Sequence, residues 1–327
     1  MLDHRLSRRS LGRLVGKLAA LSLLGTVPAR ASIPHGGLPQ LKAALFPFSS
    51  SPFPYHGVRP DDGSEFMDVQ GQNGRLGHTS PRGGVYYEDR TYSDHRVLAA
   101  LPAGFDLWKK AAIVVFFHGN NATLQRDVVD RQRVLDQVAN SNLNAALIAP
   151  QFAVDALDSS AGRFWVPGAF AQFMGEASTA LARLWGSGNA RSAFAGLPII
   201  LVAYSGGYNP AAYALAVGGA NRRIRGVILL DALVAEGDKF AAWIAASHRA
   251  AFFFSGYSDA AASGNSDVER RLASHGIGFS TGLPRALQPG DVTFVATAGV
   301  DHDDYMTNAW VSDPLTWLLD RVQGYPR

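Results

Sequence analysis

The sequence predicts an α/β fold: a mostly parallel central sheet with helices on both faces and no large lid. Three observations carry this expectation. Short apolar runs rich in β-branched and aromatic residues recur at residues 111–117, 145–149, 198–204, 227–230, 252–255 and 292–296. Runs of that length without polar alternation suit strands covered on both faces. Stretches of helical character, near residues 123–139, 169–185, 234–247 and 304–322, lie between them. Finally, four of the runs stop at polar or glycine-rich loops: His118-Gly119-Asn120-Asn121, Ser205-Gly206-Gly207, Gly256-Tyr257-Ser258-Asp259 and Val300-Asp301-His302-Asp303. In open α/β sheets ligands bind outside the carboxyl ends of the strands, so these loops are expected to share one crevice.

Taken in order, the chain begins with Ser7-Arg8-Arg9-Ser10-Leu11, an apolar stretch at 18–27 and Ala29-Arg30-Ala31. Paired arginines, a short apolar core and a small-x-small cleavage site predict a twin-arginine signal peptide over residues 1–31. Ten apolar residues fall short of the ~20 needed to cross a bilayer, so no stable membrane anchor is expected. The mature chain is expected to begin at Ser32 and to reside in the periplasm or outside a bacterial cell. Residues 32–83 hold seven of the 17 prolines together with Phe46, Phe48, Phe53 and Tyr55. They predict an irregular Pro/Gly-rich arm that docks its aromatics on the body. Residues 84–327 form the predicted α/β domain, opening with antiparallel strands near 85–87 and 96–98. Only one helix fits between the runs at 227–230 and 252–255, which leaves no space for an inserted lid. The irregular stretch 150–168 is expected to wall the crevice.

Composition narrows the class further. Six of the 30 Lys and Arg, but one of the 27 Asp and Glu, lie within residues 1–31, so the remainder carries a net charge of −2. The basic balance belongs to the leader. No basic patch or RNP-like aromatic motif argues for a nucleic-acid partner. With no cysteine, disulfides, thiol catalysis and thiolate metal sites are excluded.

Ser205 follows an apolar strand and precedes a helix that opens near Pro210. Strand, serine and helix form the layout of a nucleophile elbow, whose tight turn needs small residues two before and two after the serine. Ala203 and Gly207 meet that need, although A-x-S-G-G departs from the usual G-x-S-x-G. A serine in a glycine-rich turn of a doubly wound sheet is the plain alternative. The order of serine, acid and histidine past successive strands resembles the α/β-hydrolase superfamily over roughly residues 84–324. That resemblance implies a Ser-His-Asp triad acting through an acyl-enzyme, without cofactor or metal. Ser205 would be the nucleophile, His302 the base and Asp259 its orienting acid. Asp231, at the end of the preceding strand, is the alternative acid. The implied oxyanion hole is the backbone N–H of Gly206 and of Asn120.

Several neighbours need a role. His118 reads as a residue that fixes the oxyanion loop, and His275 as an exposed histidine at a helix C-terminus. Asp301, Asp303 and Asp304 around His302 form a weak metal signal without a second histidine, and Asp303 or Asp304 also suits a helix cap. Tyr204, Asn121, Arg163 and Trp165 are candidates for substrate contact; an internal salt bridge and a buried indole are the alternatives for the last two. The expected activity is hydrolysis of a small-molecule carboxylic ester. An amidase, peptidase or acyltransferase on the same triad, or a non-catalytic binding module, are the alternatives.

Overall fold

The computed structural model describes residues 41–327; the expected leader and the start at Ser32 lie outside them. Among these residues, eleven strands form two sheets. The main sheet takes β1 (Lys42–Pro47), β5 (Arg96–Leu101), β6 (Ala112–Phe117), β7 (Ala145–Pro150), β8 (Ile199–Tyr204), β9 (Ile224–Leu230), β10 (Phe252–Tyr257) and β11 (Val292–Ala296). The small sheet holds β2 (Val69–Gln70), β3 (Leu76–Thr79) and β4 (Val85–Tyr87). The main sheet runs in the order β1-β5-β7-β6-β8-β9-β10-β11. β5 is antiparallel to both its neighbours, and all the other pairings are parallel. This is the α/β-hydrolase architecture. Successive residues of each central strand feed opposite layers of core, as strand geometry requires. In β8, Ile199, Leu201 and Ala203 pack into one layer with the helix Ala169–Trp185. Ile200, Val202 and Tyr204 pack into the other.

The structure departs from expectation at the start of the sheet. The opening antiparallel pair is β1 with β5, registered from Lys42↔Leu101 to Pro47↔Arg96, whereas Val85–Tyr87 belongs to the small sheet. The stretch expected to be an irregular arm thus supplies an edge strand, the position where a terminal proline costs no ladder bond. Its aromatics are anchored. Phe48 meets Phe173 at 5.4 Å, and Phe53 meets Phe66 and Tyr92 at 5.7 and 5.0 Å. The helix Ala169–Trp185 has its expected bounds, closed by Gly186 at φ 92°, whose N–H bonds the Ala182 and Arg183 carbonyls. The helix expected at 123–139 is broken by Arg133 at φ 50° into a π-helical Leu124–Arg131 and Val134–Asn140. That expected at 304–322 shrinks to a 3-10 turn, His302–Met306, and Pro314–Leu319. Pro314 cannot donate to a helix arriving from before it and instead starts a new one. Between β9 and β10 the only α-helix is Gly237–Ser247, so no lid is inserted there.

Candidate active site

The carboxyl ends of β6, β8 and β9 lie side by side, as the pairings Phe117↔Ala203 and Tyr204↔Leu230 show. Ser205 is the first residue past β8 and takes φ 52°. This left-handed backbone is uncommon for a residue with a Cβ and belongs to a sharp strand-to-helix turn. Close packing explains the glycines around it. A Cβ on Gly207 would lie 2.4 Å from the Phe117 carbonyl oxygen, and one on Gly119 would lie 2.7 Å from the Ser205 Cβ. Backbone on one side and the serine on the other leave no direction in which either could yield.

His302 opens the 3-10 turn after β11. Its Nε2 lies 2.7 Å from the Ser205 Oγ and its Nδ1 lies 2.6 Å from the Asp231 Oδ2. The acid against the imidazole is therefore Asp231, not Asp259. Asp259 is exposed and makes no hydrogen bond to His302 among the described residues. Ser258, one residue earlier, gives the reason. Its N–H donates to the Asp231 Oδ1 at 2.8 Å, and its hydroxyl lies 2.9 Å from both oxygens. The loop after β10 thus contributes the serine that orients the acid, while Asp259 begins the next turn on the solvent side. Asp231 is 1% exposed. Burial opposes its ionisation, but the bonds from His302 and Ser258 outweigh that and hold its carboxyl below its ordinary range. Ser258 had no signal in the sequence beyond its place in the loop.

The residues expected to supply the oxyanion hole, Asn120 and Gly206, share one setting. Asn120 presents its side-chain oxygen to the Ser159 hydroxyl at 3.0 Å and lies against Gly206. Among the described residues, neither the Asn120 nor the Gly206 N–H has an acceptor outside its own turn. The loop carrying Asn120 is fixed by His118, which is fully buried. Its Nδ1 lies 2.7 Å from the Gly119 oxygen, and its Nε2 accepts from the Phe152 N–H at 2.9 Å. Burial lowers its pKa to about 4, so at neutral pH it is an uncharged brace with both nitrogens committed. Asn121, at φ 53°, donates its N–H to the Ala156 carbonyl at 2.8 Å and lines the cleft.

A cleft of about 620 Å³ lies over Ser205, lined also by Tyr204, Asn120, Asn121, His302 and Asp303. Tyr204 stacks on His302 with ring centroids 5.0 Å apart, and its hydroxyl bonds the His302 carbonyl and Asp303, both at 3.2 Å. Asp303 also pairs with Arg131 at 3.1 Å, and Asp301 caps the turn through its carbonyl to the Asp304 N–H. Two of the expected substrate contacts sit elsewhere. Among the described residues Arg163 forms no salt bridge and does not line this cleft; it donates to the Ser51 and Pro54 carbonyls, each at 3.3 Å, and so ties down the arm. Trp165 packs on Tyr55 and Phe66 and lines a neighbouring chamber. His275 caps the helix Ala262–Ser274, with Nδ1 at 2.8 Å from the Arg271 carbonyl.

No protein-family model and no curated protein sequence matches this chain. Among solved structures, it is similar to the feruloyl esterase module from Clostridium thermocellum complexed with sinapinate. The two are 16% identical, with a TM-score of 0.44 over 84% of this chain and 97% of that one. It is also similar to an S-formylglutathione hydrolase from Agrobacterium tumefaciens, at 11% identity, TM-score 0.39 and coverages of 69% and 89%. Esterase 2 of Thermogutta terrifontis matches at 12%, TM-score 0.38 and coverages of 68% and 84%. Likenesses this distant carry no functional argument. The geometry of the site does.

Proposed function

We propose that this chain is a serine hydrolase that cleaves a carboxylic ester through an acyl-enzyme. One observation carries the reading: the unbroken line of hydrogen bonds from Asp231 through His302 to Ser205, at 2.6 and 2.7 Å. A serine hydroxyl is a weak nucleophile until a base takes its proton. As the Ser205 Oγ attacks the ester carbonyl, its proton passes to the His302 Nε2, and the buried Asp231 carboxylate stabilises the imidazolium. The carbonyl oxygen becomes an oxyanion facing the Gly206 and Asn120 N–H groups. The imidazolium returns its proton to the leaving alcohol as the ester C–O bond breaks. Water, deprotonated by His302, then releases the acid and restores Ser205. Carboxylic esters are favoured over amides because an alkoxide leaving group needs less activation than an amine.

A fluorophosphonate probe tests this directly. Wild-type protein is expected to be labelled on Ser205 and to hydrolyse p-nitrophenyl esters. Ser205→Ala is expected to lose both, with a fall in kcat of roughly 10⁵–10⁶ and a nearly unchanged melting curve. Turnover by that variant within tenfold of wild type would sink the reading. The leader supports an exported enzyme: Ser7-Arg8-Arg9-Ser10-Leu11 fits twin-arginine export, a route that suits a cysteine-free protein folded before translocation. No helix among the described residues is long and apolar enough to cross a membrane.

A further inference from the structure

Two cavities meet at Arg82. One is the cleft over Ser205; the other is a chamber of about 220 Å³ walled by His78, Asp158, Ser159, Trp165, Tyr208 and Tyr213, among others. Among the described residues Arg82 is the one that lines both. Its position is set by structure rather than by chance. The turn Ser80–Gly84 closes through the Ser80 N–H to the Gly84 carbonyl at 3.0 Å and the Gly83 N–H to the Ser80 carbonyl at 2.9 Å. Gly83 and Gly84 supply φ 100° and 92°, values that a side chain would resist. The Arg82 N–H bonds the Ser80 Oγ at 3.2 Å, and that hydroxyl donates to the Leu157 carbonyl at 2.7 Å. The turn is thus fastened to the loop whose Ser159 bonds Asn120, so Arg82 is held in register with the oxyanion turn.

Charge separates Arg82 from its neighbours. Three arginines line the Ser205 cleft against two aspartates. Arg126 is committed to Asp127 and Asp155, at 2.8 and 2.7 Å. Arg131 is committed to Asp127 and Asp303, at 3.0 and 3.1 Å. Among the described residues Arg82 has no carboxylate within 4.0 Å, and its side chain is exposed to the cavities. The cleft therefore keeps one guanidinium with no carboxylate partner, lying against the Tyr208 hydroxyl and beside a reaction centre whose own acid is already occupied. A planar guanidinium offers two parallel N–H donors that match a carboxylate.

We propose that Arg82 is a specificity-determining residue, binding a carboxylate that the ester substrate carries besides its scissile group. The enzyme would then act on half-esters of dicarboxylic acids or on esters of acidic alcohols. This rests on the ester-hydrolase reading, so the test pairs turnover with a binding arm that needs no catalysis. Two matched pairs place the carboxylate on either side of the bond: para-butyryloxybenzoate against phenyl butyrate, and monophenyl adipate against phenyl hexanoate. In at least one pair the wild type is expected to favour the acidic ester roughly tenfold to a hundredfold in kcat/KM, mainly through KM. Arg82→Gln is expected to collapse that ratio, and Arg82→Lys to restore only part of it. Calorimetric titration of Ser205→Ala with the same esters is expected to show tighter binding of the acidic member, lost in Ser205→Ala/Arg82→Gln. Equal affinity for acidic and neutral esters in Ser205→Ala, or a preference that survives Arg82→Gln, would overturn the assignment. If the wild type turned over no ester, the hydrolase reading would fail while the titration still decided the role of Arg82.

Discussion

Replacing Asp231 by asparagine tests the site at its most informative point, because volume is kept and only one hydrogen-bonding face changes. The Ser258 N–H points at Oδ1 from 2.8 Å and accepts nothing. The amide of the variant must therefore turn its oxygen toward Ser258 and its NH₂ toward the His302 Nδ1. An imidazole facing a donor at Nδ1 keeps its proton on Nε2, the nitrogen 2.7 Å from the Ser205 Oγ. It can no longer take the serine proton. The expected loss in kcat is about 10⁴, equivalent to about 5.4 kcal/mol of transition-state stabilisation, with KM little changed. Asp259→Asn, on the exposed side of its turn, is expected to stay within about threefold of wild type. The variants also differ in their acid stability. Asp231 has a folded pKa below its unfolded value of about 3.9. Its contribution is complete above that pH and vanishes as pH falls through the folded pKa, so wild type and Asp231→Asn should converge in stability on acidification. Steady-state kinetics on a p-nitrophenyl ester and thermal melts from pH 7 to pH 3 supply the readings. A crippled Asp259→Asn beside an active Asp231→Asn would refute the assignment of the acid.

Two further outcomes are expected. His118 is buried with its pKa lowered to about 4, against about 6.5 when unfolded; its contribution, of the order of 3 kcal/mol, is full above pH 6.5 and is lost as pH falls toward 4. Melting temperature should fall across that window, and a neutral His118→Gln variant should show a flatter profile; an equally steep profile would assign the acid lability elsewhere. Replacing Arg8 and Arg9 together by lysine keeps the charge but removes the forked donors, so the precursor is expected to accumulate uncleaved in the cytoplasm while wild type begins at Ser32. Mass spectrometry of the exported N-terminus reads this, and normal export of the lysine variant would point to another route.

The sheet and its chemistry were legible to different depths. Apolar runs marked six of the eight main-sheet strands, and the break to small residues at Ser205 marked the elbow. β1 was hidden because Lys42–Pro47 is an edge strand only partly buried, set in a stretch whose prolines speak for irregular chain. The choice between Asp231 and Asp259 lay beyond sequence order, because both follow neighbouring parallel strands, β9 and β10. What separates them is the single-residue step that places Ser258 inward and Asp259 outward, a matter of side-chain direction in a turn. Arg163 and Trp165 had suitable chemistry in the expected loop, but the arm they hold in place could not be positioned until β1 was found.

The route of the N-terminal stretch divides the labour of this molecule between separable lengths of chain. The proposed proton relay is assembled from loops after β8, β9, β10 and β11. The second chamber takes one wall, Arg59, Pro60, Asp61, His78, Ser80 and Arg82, from the segment between β1 and β4, and the other from later loops that include Ser159, Trp165 and Tyr208. Insertions or exchanges in that segment could recast what enters the crevice while leaving every distance in the relay untouched. That wall lies in a part of the chain synthesised before any residue of the proposed relay.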